Sequence, residues 1–549
     1  MKKIVNSIFL VVTLSSSVFL VNSCQDALDI VQAEVIQESD VFVSVENMET
    51  YFNGSVMNNL EPNYEIYVTA VLSDEVKPGI GSGGQEYQLH SHFIDPTTPL
   101  VDNIWYQNYR VINRINRLLQ GAQNVVPVTT DDKNKYNAII ARARAVRAYN
   151  LLQLQSLFST DMKDDSALGV MVFDFVPQDP LAINLPRATN AEVFSFINAD
   201  LDFARGVLAY STGSATGAPN YTIDKGFVNA LSARMNLYRG KYDLAKQYAQ
   251  DVITNSGLAL SSGSPIEGTN TYITPNLVSG PFNTGSFTQT PAWNNAFYGG
   301  TTSATGNGLI GSYNPYRNMW TDRVRGEIIF SLGRPVGAGG LNIGARWNTN
   351  SSTATGTCMW NWGRNLFNAF NVSGDIRRFA YVDPTSKVDA NYLTSSDPRS
   401  TDVLVVDKYP GRVSAAVRND LKLFRLSEMY FILAEAAVEQ SQLPAAAGFI
   451  QQVRVARNFN GTATTPAYSS VQTAYADILK ERRVELALEG HRYIDLKRLA
   501  NKAGVTMDRN QTDDIVPVTN LANDSYKYTL PIPLTEMSAN PGMVQNPGY

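Results

Sequence analysis

The sequence predicts an all-α dominated fold, built from tetratricopeptide-like helix pairs that form an α-superhelix, with a long loop-rich central region and few short strands. Three observations support this prediction. Apolar residues recur at steps of three or four through much of 100–254 and 420–499. In both parts, neighbouring helical stretches are joined by short breaks, which is typical of paired antiparallel helices. Between 255 and 419 the periodicity is lost, and Gly, Asn, Thr and Ser dominate.

Three long amphipathic helices are predicted in the first 210 residues. Apolar residues line one face of 100–120, and a clearer stripe runs through 133–158. A third helix spans 189–208, with Asn190 as its N-cap. Arg147 falls inside the stripe of the second helix, so we expect it to be buried or half-buried and paired with a carboxylate rather than catalytic.

Two further regions have the layout of helix pairs. The first comprises 224–238 and 242–253, where small alanines would let two antiparallel helices approach closely. Near the C-terminus, 420–440 precedes another helix after a short break, and more helix is predicted over 473–490 and 492–499. Stacking of such pairs would bury a continuous core.

We predict a signal segment at 1–23 followed by a single domain over 24–549. Within that domain, 24–254 forms a helical half, 255–419 a loop-rich ligand-binding region, and 420–549 a C-terminal region. Because a structureless linker of about 165 residues is implausible in a compact domain, the middle should consist of ordered loops packed on the helices. Loops held by a rigid scaffold are where binding residues concentrate.

The composition is that of a globular protein without a nucleic-acid partner. Of the 549 residues, 44% are hydrophobic and 17% are charged, so a large core is expected and disorder is not. The net charge of −5 and the lack of a basic cluster argue against nucleic-acid binding. After the N-terminal segment, no apolar run is long enough to span a membrane.

The N-terminus has the pattern of a secretory signal. Lys2 and Lys3 precede a short apolar run at 8–20, and small residues lead to Cys24. This pattern resembles a bacterial lipobox, in which the cysteine is lipidated; an ordinary signal peptide with an incidental cysteine is the alternative. Lipidation of Cys24 would leave Cys358 unpaired. The acidic, polar stretch directly after Cys24 resembles the surface-export signal of Bacteroidetes lipoproteins.

The densest charge pattern lies at 481–498. Glu481, Glu485 and Glu489 are four residues apart, on one helical face. Paired carboxylates can act in glycoside hydrolysis, one as the acid and the other as base or nucleophile. However, Arg482, Arg483, Arg492 and Arg498 interleave with them, and neighbouring arginines keep carboxylates ionised. We therefore favour a structural ion network over catalysis.

Six motifs in order resemble the SusD/RagB family of outer-membrane nutrient-binding lipoproteins of Bacteroidetes, and the resemblance spans nearly the whole chain. The charge pattern at 481–498 matches the C-terminal signature of that family. The other matching segments are Trp105 with Tyr109, Ile112 and Asn116; 144–149; 374–378 with Lys408 and Tyr409; 425–430 with 434–436; and the C-terminal end, including 531–533, Glu536 and 545–549.

The resemblance implies a surface-exposed, outer-membrane lipoprotein that captures oligosaccharide and delivers it to a SusC-like TonB-dependent transporter. It implies no enzymatic activity and no cofactor. Some family members capture peptides, so a peptide ligand is the alternative. A glycoside hydrolase and a tetratricopeptide scaffold for protein partners are weaker hypotheses.

Aromatic residues in loops are the candidate ligand contacts, because sugar rings have apolar faces that stack on flat side chains while hydroxyls need polar partners. The loop at 73–99 also lies at a position resembling the family's binding loop. The predicted ligand-binding residues are Asp74, Tyr87, His92, Trp293, Asn295, Tyr298, Tyr316, Trp320, Trp347 and Trp360.

Three other sequence patterns do not predict a functional site. The glycine patterns at 79–84 and 306–311 fit a dinucleotide loop, but neither opens a helix in a strand-helix-strand unit. His90 and His92 lack the further ligands that a zinc site needs, so no metal site is predicted. His491 and the loop serines give no assignable triad.

Overall fold

The structure is a computed structural model that describes residues 41–177, 184–263, 314–335, 342–347, 358–372, 374–383, 386–412, 415–416, 418–458 and 461–549. Within these ranges most of the chain is helical and the strands are few and short. The prediction of an all-α dominated fold is therefore confirmed.

The N-terminal half contains eight of the described helices and one short strand. They are α1 (Val45–Tyr51), α2 (Asn63–Leu72), β1 (Val76–Pro78), α3 (Tyr87–His90), α4 (Pro99–Ala122), α5 (Thr130–Phe158), α6 (Asn190–Val207), α7 (Lys225–Tyr238) and α8 (Tyr242–Asn255). A π-helical turn at Phe52–Val56 and a 3₁₀ turn at Met57–Asn59 join α1 to α2.

The described part of the central region consists of short elements, and longer helices return after residue 425. The elements are α9 (Pro315–Trp320), β2 (Ile328–Leu332), α10 (Gly344–Trp347), β3 (Trp360–Trp362), α11 (Arg364–Phe370), α12 (Arg377–Tyr381), α13 (Pro398–Thr401), β4 (Gly411–Arg412), β5 (Ala415–Ala416), β6 (Leu421–Arg425), α14 (Leu426–Glu439), α15 (Leu443–Arg457), α16 (Val471–Glu485), α17 (Arg492–Ala503) and α18 (Leu534–Ala539). Two further 3₁₀ turns lie at Tyr392–Thr394 and Tyr526–Tyr528.

The long helices stack in antiparallel pairs. Helix α8 packs on α7 and on α14, α14 packs on α15, and α16 packs on α17. Ala245 and Ala249 of α8 are fully buried, so their small side chains let the neighbouring backbones come close. This is the tetratricopeptide-like arrangement that the sequence predicts.

One predicted helix boundary is wrong. The N-cap of α6 is Thr189, not Asn190, and its hydroxyl accepts from the amide of Glu192 at 3.3 Å while Glu192 Oε2 accepts from the amide of Thr189 at 2.8 Å. Asn190 is already inside the helix and buried, where its amide donates to the carbonyl oxygens of Asp161 and Asp164. These tertiary contacts hold Asn190 inside the helix, so that Thr189 takes the capping position.

The start of the predicted helix at 420–440 is also wrong. Residues Leu421–Arg425 form β6, which pairs antiparallel with β2, and α14 begins only at Leu426. Every residue of both strands is buried. Because both faces are buried, the strand has no solvent-facing side whose alternating polarity would distinguish it from a helix.

A second two-stranded sheet positions the candidate site. Strand β1 pairs antiparallel with β3, with Val76 opposite Trp362 and Pro78 opposite Trp360. This pairing fixes the segment after α2 against the central region, across nearly three hundred residues of sequence.

Arg147 is buried, as predicted. Its Nε donates to Oδ2 of Asp200 at 2.8 Å, and its Nη1 donates to Asn116 at 2.7 Å. Among the described helices, none is long and apolar enough to cross a membrane.

Candidate ligand-binding site

The charge-rich C-terminal run forms a buried ion network. Glu485 accepts from Arg425 at 2.7 Å and from Arg457 at 2.8 Å, and Arg377 Nη1 lies 3.2 Å from its second oxygen. Glu481 pairs with Arg377 and Arg454, each at 2.7 Å. Glu489 pairs with Arg425 and Lys408. Glu481 and Glu485 are buried, and Glu489 is half-buried.

The electrostatics of these glutamates oppose general-acid chemistry. Burial alone would raise the pKa of each carboxyl, but the neighbouring arginines outweigh burial and lower it, most strongly for Glu485. A carboxyl held ionised in this way has no proton to donate at neutral pH. The described structure therefore assigns the three residues to packing between elements.

Asp74 is part of a similar pair and not of an open surface. Its two oxygens accept from Nε and Nη2 of Arg492, both at 2.7 Å, and its side chain is 1% exposed. Burial would raise the pKa of Asp74, but the charges of Arg483 and Arg492 hold it well below its usual range. This corrects the expectation that Asp74 contacts ligand: it holds the base of the 73–99 loop in place.

The structure brings aromatic side chains from two separate segments together at one surface depression, which Tyr64, Tyr67 and Trp347 line. We call these three residues, together with Tyr87 on the adjoining loop, the aromatic cradle; Tyr87 follows Glu86, whose carboxylate contacts the Tyr67 hydroxyl. Tyr64 and Tyr67 are one helical turn apart on α2, Tyr87 begins α3, and Trp347 ends α10. The ring of Trp347 lies 5.2 Å from that of Tyr67.

Hydrogen bonds hold the rings of the cradle in place. The Tyr67 hydroxyl donates to the carboxylate of Glu86 and accepts from Nε1 of Trp360 at 2.7 Å. The Trp360 ring in turn lies tilted against that of His90, with 5.3 Å between ring centroids, and the His90 ring lies 6.3 Å from that of Tyr87. The rings at the surface are therefore backed by a second, buried layer.

Polar groups lie beside the rings at the same depression. Asn63, Asn342 and the aromatic residues Tyr64, Tyr67 and Trp347 line it together. Asn342 accepts from Arg418 at 2.8 Å. Trp347 is 1% exposed, and its Nε1 has no hydrogen-bond partner among the described residues. A buried donor without a partner costs about 1–3 kcal/mol, so a ligand acceptor there would be stabilised.

The loop that carries Tyr87 has strained backbone on both sides of α3. Glu86 and His92 adopt φ of 56° and 61°, in the left-handed region that disfavours residues with a side chain. Such strain persists only where surrounding contacts fix it, and it clusters at binding sites. Here His92 Nε2 donates to the carbonyl oxygen of Leu72 at 2.8 Å, and Arg509 donates to that of His90 at 2.6 Å.

The depression is shallow. It has about 360 Å³ of free space when the part open to solvent is included, and only about 40 Å³ of that space can take a water molecule. A ligand ring would therefore lie across the mouth, against Tyr64, which is half-buried.

Four predicted contacts are corrected because their side chains are enclosed by the protein. Tyr316 hydrogen-bonds the Tyr381 hydroxyl at 2.5 Å, and Trp320 lies 4.4 Å from the Lys408 ammonium. Trp360 and His92 are 0% and 2% exposed. Trp320 and Tyr316 belong to the core of the central region, and Trp360 and His92 support the cradle from behind.

Three predicted contacts, Trp293, Asn295 and Tyr298, lie outside the described residues, as does Cys24. Of the predicted residues that the structure describes, Tyr87 and Trp347 belong to the cradle itself. Sequence reasoning missed Tyr64, Tyr67 and Glu86. Two tyrosines at positions i and i+3, directly before the predicted binding loop, were the signal that could have found the first two.

Comparisons of the sequence with known proteins find similarity to SusD-like proteins. A model of the SusD family matches residues 399–549. A SusD-like protein P2 from Formosa agariphila is 24% identical over 227 residues, an alignment that spans 40% of this chain and 41% of that protein. The chain thus aligns with well under two thirds of the length of that relative.

Solved structures are similar over almost the whole chain. A SusD superfamily protein from Bacteroides thetaiotaomicron has a TM-score of 0.67 at 22% identity, covering 92% of this chain and 100% of the other. A SusD-like carbohydrate binding protein from Bacteroides vulgatus has a TM-score of 0.63 at 19% identity, covering 91% and 97%. Surface glycan-binding protein A from Bacteroides fluxus has a TM-score of 0.64 at 18% identity, covering 92% and 100%. At these identities the likeness establishes the fold.

Proposed function

We propose that the chain, whose residues 399–549 match a model of the SusD family, is a protein of that family and captures glycans at the cell surface without catalytic activity. It hands the bound oligosaccharide to a SusC-like TonB-dependent transporter of the outer membrane. The observation that carries the proposal is the aromatic cradle, in which flat rings and polar side chains from distant segments share one solvent-facing depression.

The chemistry of the cradle suits a saccharide. The apolar faces of sugar rings stack on tyrosine and tryptophan, and Glu86 and Asn342 stand beside the rings to receive hydroxyl groups. Trp347 Nε1 supplies a donor that has no other partner among the described residues. Because the rings rest on a buried layer, little side-chain entropy is lost on binding.

The proposed anchor is a lipid on Cys24. Each buried methylene of an acyl chain contributes about 0.8 kcal/mol, so a multiply acylated cysteine holds a protein stably at a membrane. The ligand-binding domain would then act outside the cell, next to its transporter.

Affinity electrophoresis tests the proposal. The mature chain, starting after Cys24, is run through gels that contain different polysaccharides, with a peptide-rich extract for comparison. We expect one glycan to retard the protein without being shortened. Tyr87→Ala and Tyr64→Ala should each weaken that retardation by about tenfold or more, because each removes a ring face at the mouth of the cradle.

The matched control is Phe203→Ala, which removes a partly exposed aromatic side chain on α6 and should leave retardation unchanged. Equal effects of Tyr87→Ala and Phe203→Ala would contradict the placement of the site. If no glycan retarded the protein and the peptide extract bound it, we would conclude that the ligand is a peptide and not a sugar.

A further inference from the structure

The depression at the aromatic cradle is apolar and carries no charge of its own. Besides the three rings that line it, its walls are formed by Leu100 of α4, by Ile343 directly before α10, and by the amides of Asn63 and Asn342. Among the described residues, no charged side chain lines the depression. Its walls therefore suit a neutral group of a ligand that is itself largely apolar.

The charged groups around the depression are held by its own side chains. Glu61 and Glu86 each accept a hydrogen bond from a residue of the lining. Arg418 donates to the side-chain oxygen of Asn342 at 2.8 Å, and its Nε donates to backbone carbonyl oxygens. A carboxylate or sulfate group that entered the depression would thus lose its water without gaining a cation of the lining, which is unfavourable.

Two polar groups of the lining can offer a donor to a ligand. Trp347 is 1% exposed, and its Nε1 has no hydrogen-bond partner within the described part of the chain. The oxygen of Asn342 is occupied by Arg418, so its Nδ2 is the atom that can turn to a ligand. A carbonyl oxygen suits such donors, because it accepts hydrogen bonds and brings no proton that needs an acceptor in turn.

The depression is too small to enclose a sugar ring, but a substituent of a few atoms fits into it. Only about 40 Å³ of its space can take a water molecule. The side chains of Leu100 and Ile343 give this space aliphatic walls, against which burial of a methyl group is favourable. An acetyl group combines such a methyl group with a carbonyl oxygen and has no donor of its own.

From these features we propose that the depression holds the acetyl group of an acetylated saccharide. The methyl group contacts Leu100 and Ile343, the carbonyl oxygen accepts from Nε1 of Trp347, and the sugar ring lies across the mouth, against Tyr64. The inference rests on the proposed function and narrows the ligand to acetylated, uncharged glycans. An amide-linked and an ester-linked acetyl group present the same methyl and carbonyl, so either linkage meets the chemistry of the site.

Saturation-transfer difference NMR with small probes tests the proposal. The mature chain is mixed in turn with methyl glucoside, the methyl glycoside of N-acetylglucosamine, and methyl glucoside acetylated at its primary hydroxyl. We expect the acetyl methyl protons of an acetylated probe to receive the strongest saturation, and methyl glucoside to bind about fivefold or more weakly. The difference between the two acetylated probes tells an amide-linked acetyl group from an ester-linked one.

Two variants test the roles of the lining residues. Trp347→Phe keeps an aromatic ring but removes the donor, so it should weaken binding of the acetylated probes by about three- to tenfold. Ile343→Asn replaces an aliphatic wall by a polar one and should also weaken their binding. The matched control is Trp105→Phe, which removes an indole N–H outside the depression, where it donates to Glu536 at 3.0 Å, and should leave probe binding unchanged.

Equal saturation of all three probes, or equal effects of Trp347→Phe and Trp105→Phe, would overturn the proposal. Retardation by a polysaccharide without acetyl groups, while the acetyl methyl protons of the probes receive no saturation, would overturn acetyl recognition alone and leave glycan capture standing. If no glycan retarded the protein and no probe received saturation, the proposed function would fail together with this inference.

Discussion

The surroundings of two neighbouring carboxyls at the base of the 73–99 loop shift their pKa values in opposite directions. Asp74 faces Arg483 and Arg492, which lower its pKa, whereas burial raises the pKa of Glu75 to about 7. Glu75 accepts hydrogen bonds from the amide of Leu488 at 2.9 Å and from the hydroxyl of Ser73 at 3.5 Å. At the residue scale, the number of close cations therefore decides which carboxyl is charged.

Glu75→Gln should make stability less dependent on pH. The pKa of Glu75 is about 7 when folded and near 4.5 when unfolded, so its contribution is full at low pH and is lost as pH rises through 7. We expect the variant to match the wild type at pH 5 and to exceed it at pH 8, by at most about 3 kcal/mol. Urea denaturation at both pH values measures the difference. The exposed Glu46→Gln is the control, and a gain of the same size at both pH values would refute the assignment.

At the scale of elements, close helix packing depends on small side chains at the contact. Helix α8 is enclosed by α7 on one side and by α14 on the other. Ala249 is fully buried between them, while Leu244 of the same helix is 44% exposed. A larger side chain at position 249 would push the helices apart, since protein interiors have no free volume to accept it.

Ala249→Leu is therefore expected to destabilise the protein by about 1–3 kcal/mol. Denaturant unfolding gives the free energy, and glycan retardation of the folded fraction should stay unchanged because α8 is not part of the cradle. Leu244→Ala, on the exposed face, should fall within about 0.5 kcal/mol of the wild type. If Ala249→Leu left the free energy of unfolding unchanged, α8 would not be tightly packed against its neighbours.

At the scale of the molecule, one buried network joins the central region to the C-terminal helices. Arg425 and Arg457 each bridge Glu485, at the end of α16, and Glu327, directly before β2. Arg425 lies at the end of β6 and Arg457 at the end of α15, so four elements meet at these charges. Removing one carboxylate would leave buried cations without compensation.

Glu485→Gln should destabilise the whole domain by about 3–5 kcal/mol. Unfolding followed by circular dichroism and by tryptophan fluorescence should show one transition, shifted to lower denaturant. The exposed Glu46→Gln is again the matched control. A variant that kept wild-type stability while losing a hydrolytic activity on polysaccharide would instead support the glycosidase hypothesis.

The sequence predicts helices well and loop contacts poorly, for one physical reason. The stripes at 133–158 and 189–208 reflect a period set by the helix itself, and α5 and α6 fall within three residues of the predicted bounds at each end. The segment Leu421–Arg425 carries no such signal, because its strand exists only through pairing with β2, about ninety residues earlier in the chain.

Taken alone, the sequence determined the helical framework, the carboxylate pairing of Arg147 and the ionic character of the 481–498 run, because each depends on residue type and local spacing. The tertiary structure alone decided which aromatic side chains border the candidate site. Tyr87 is half-buried and Trp347 lines the depression from beneath, whereas Trp320 and Tyr316 lie in the core, although all four occur in segments without periodicity. Exposure in a loop is set by contacts with residues far away in the chain, and no local pattern records them.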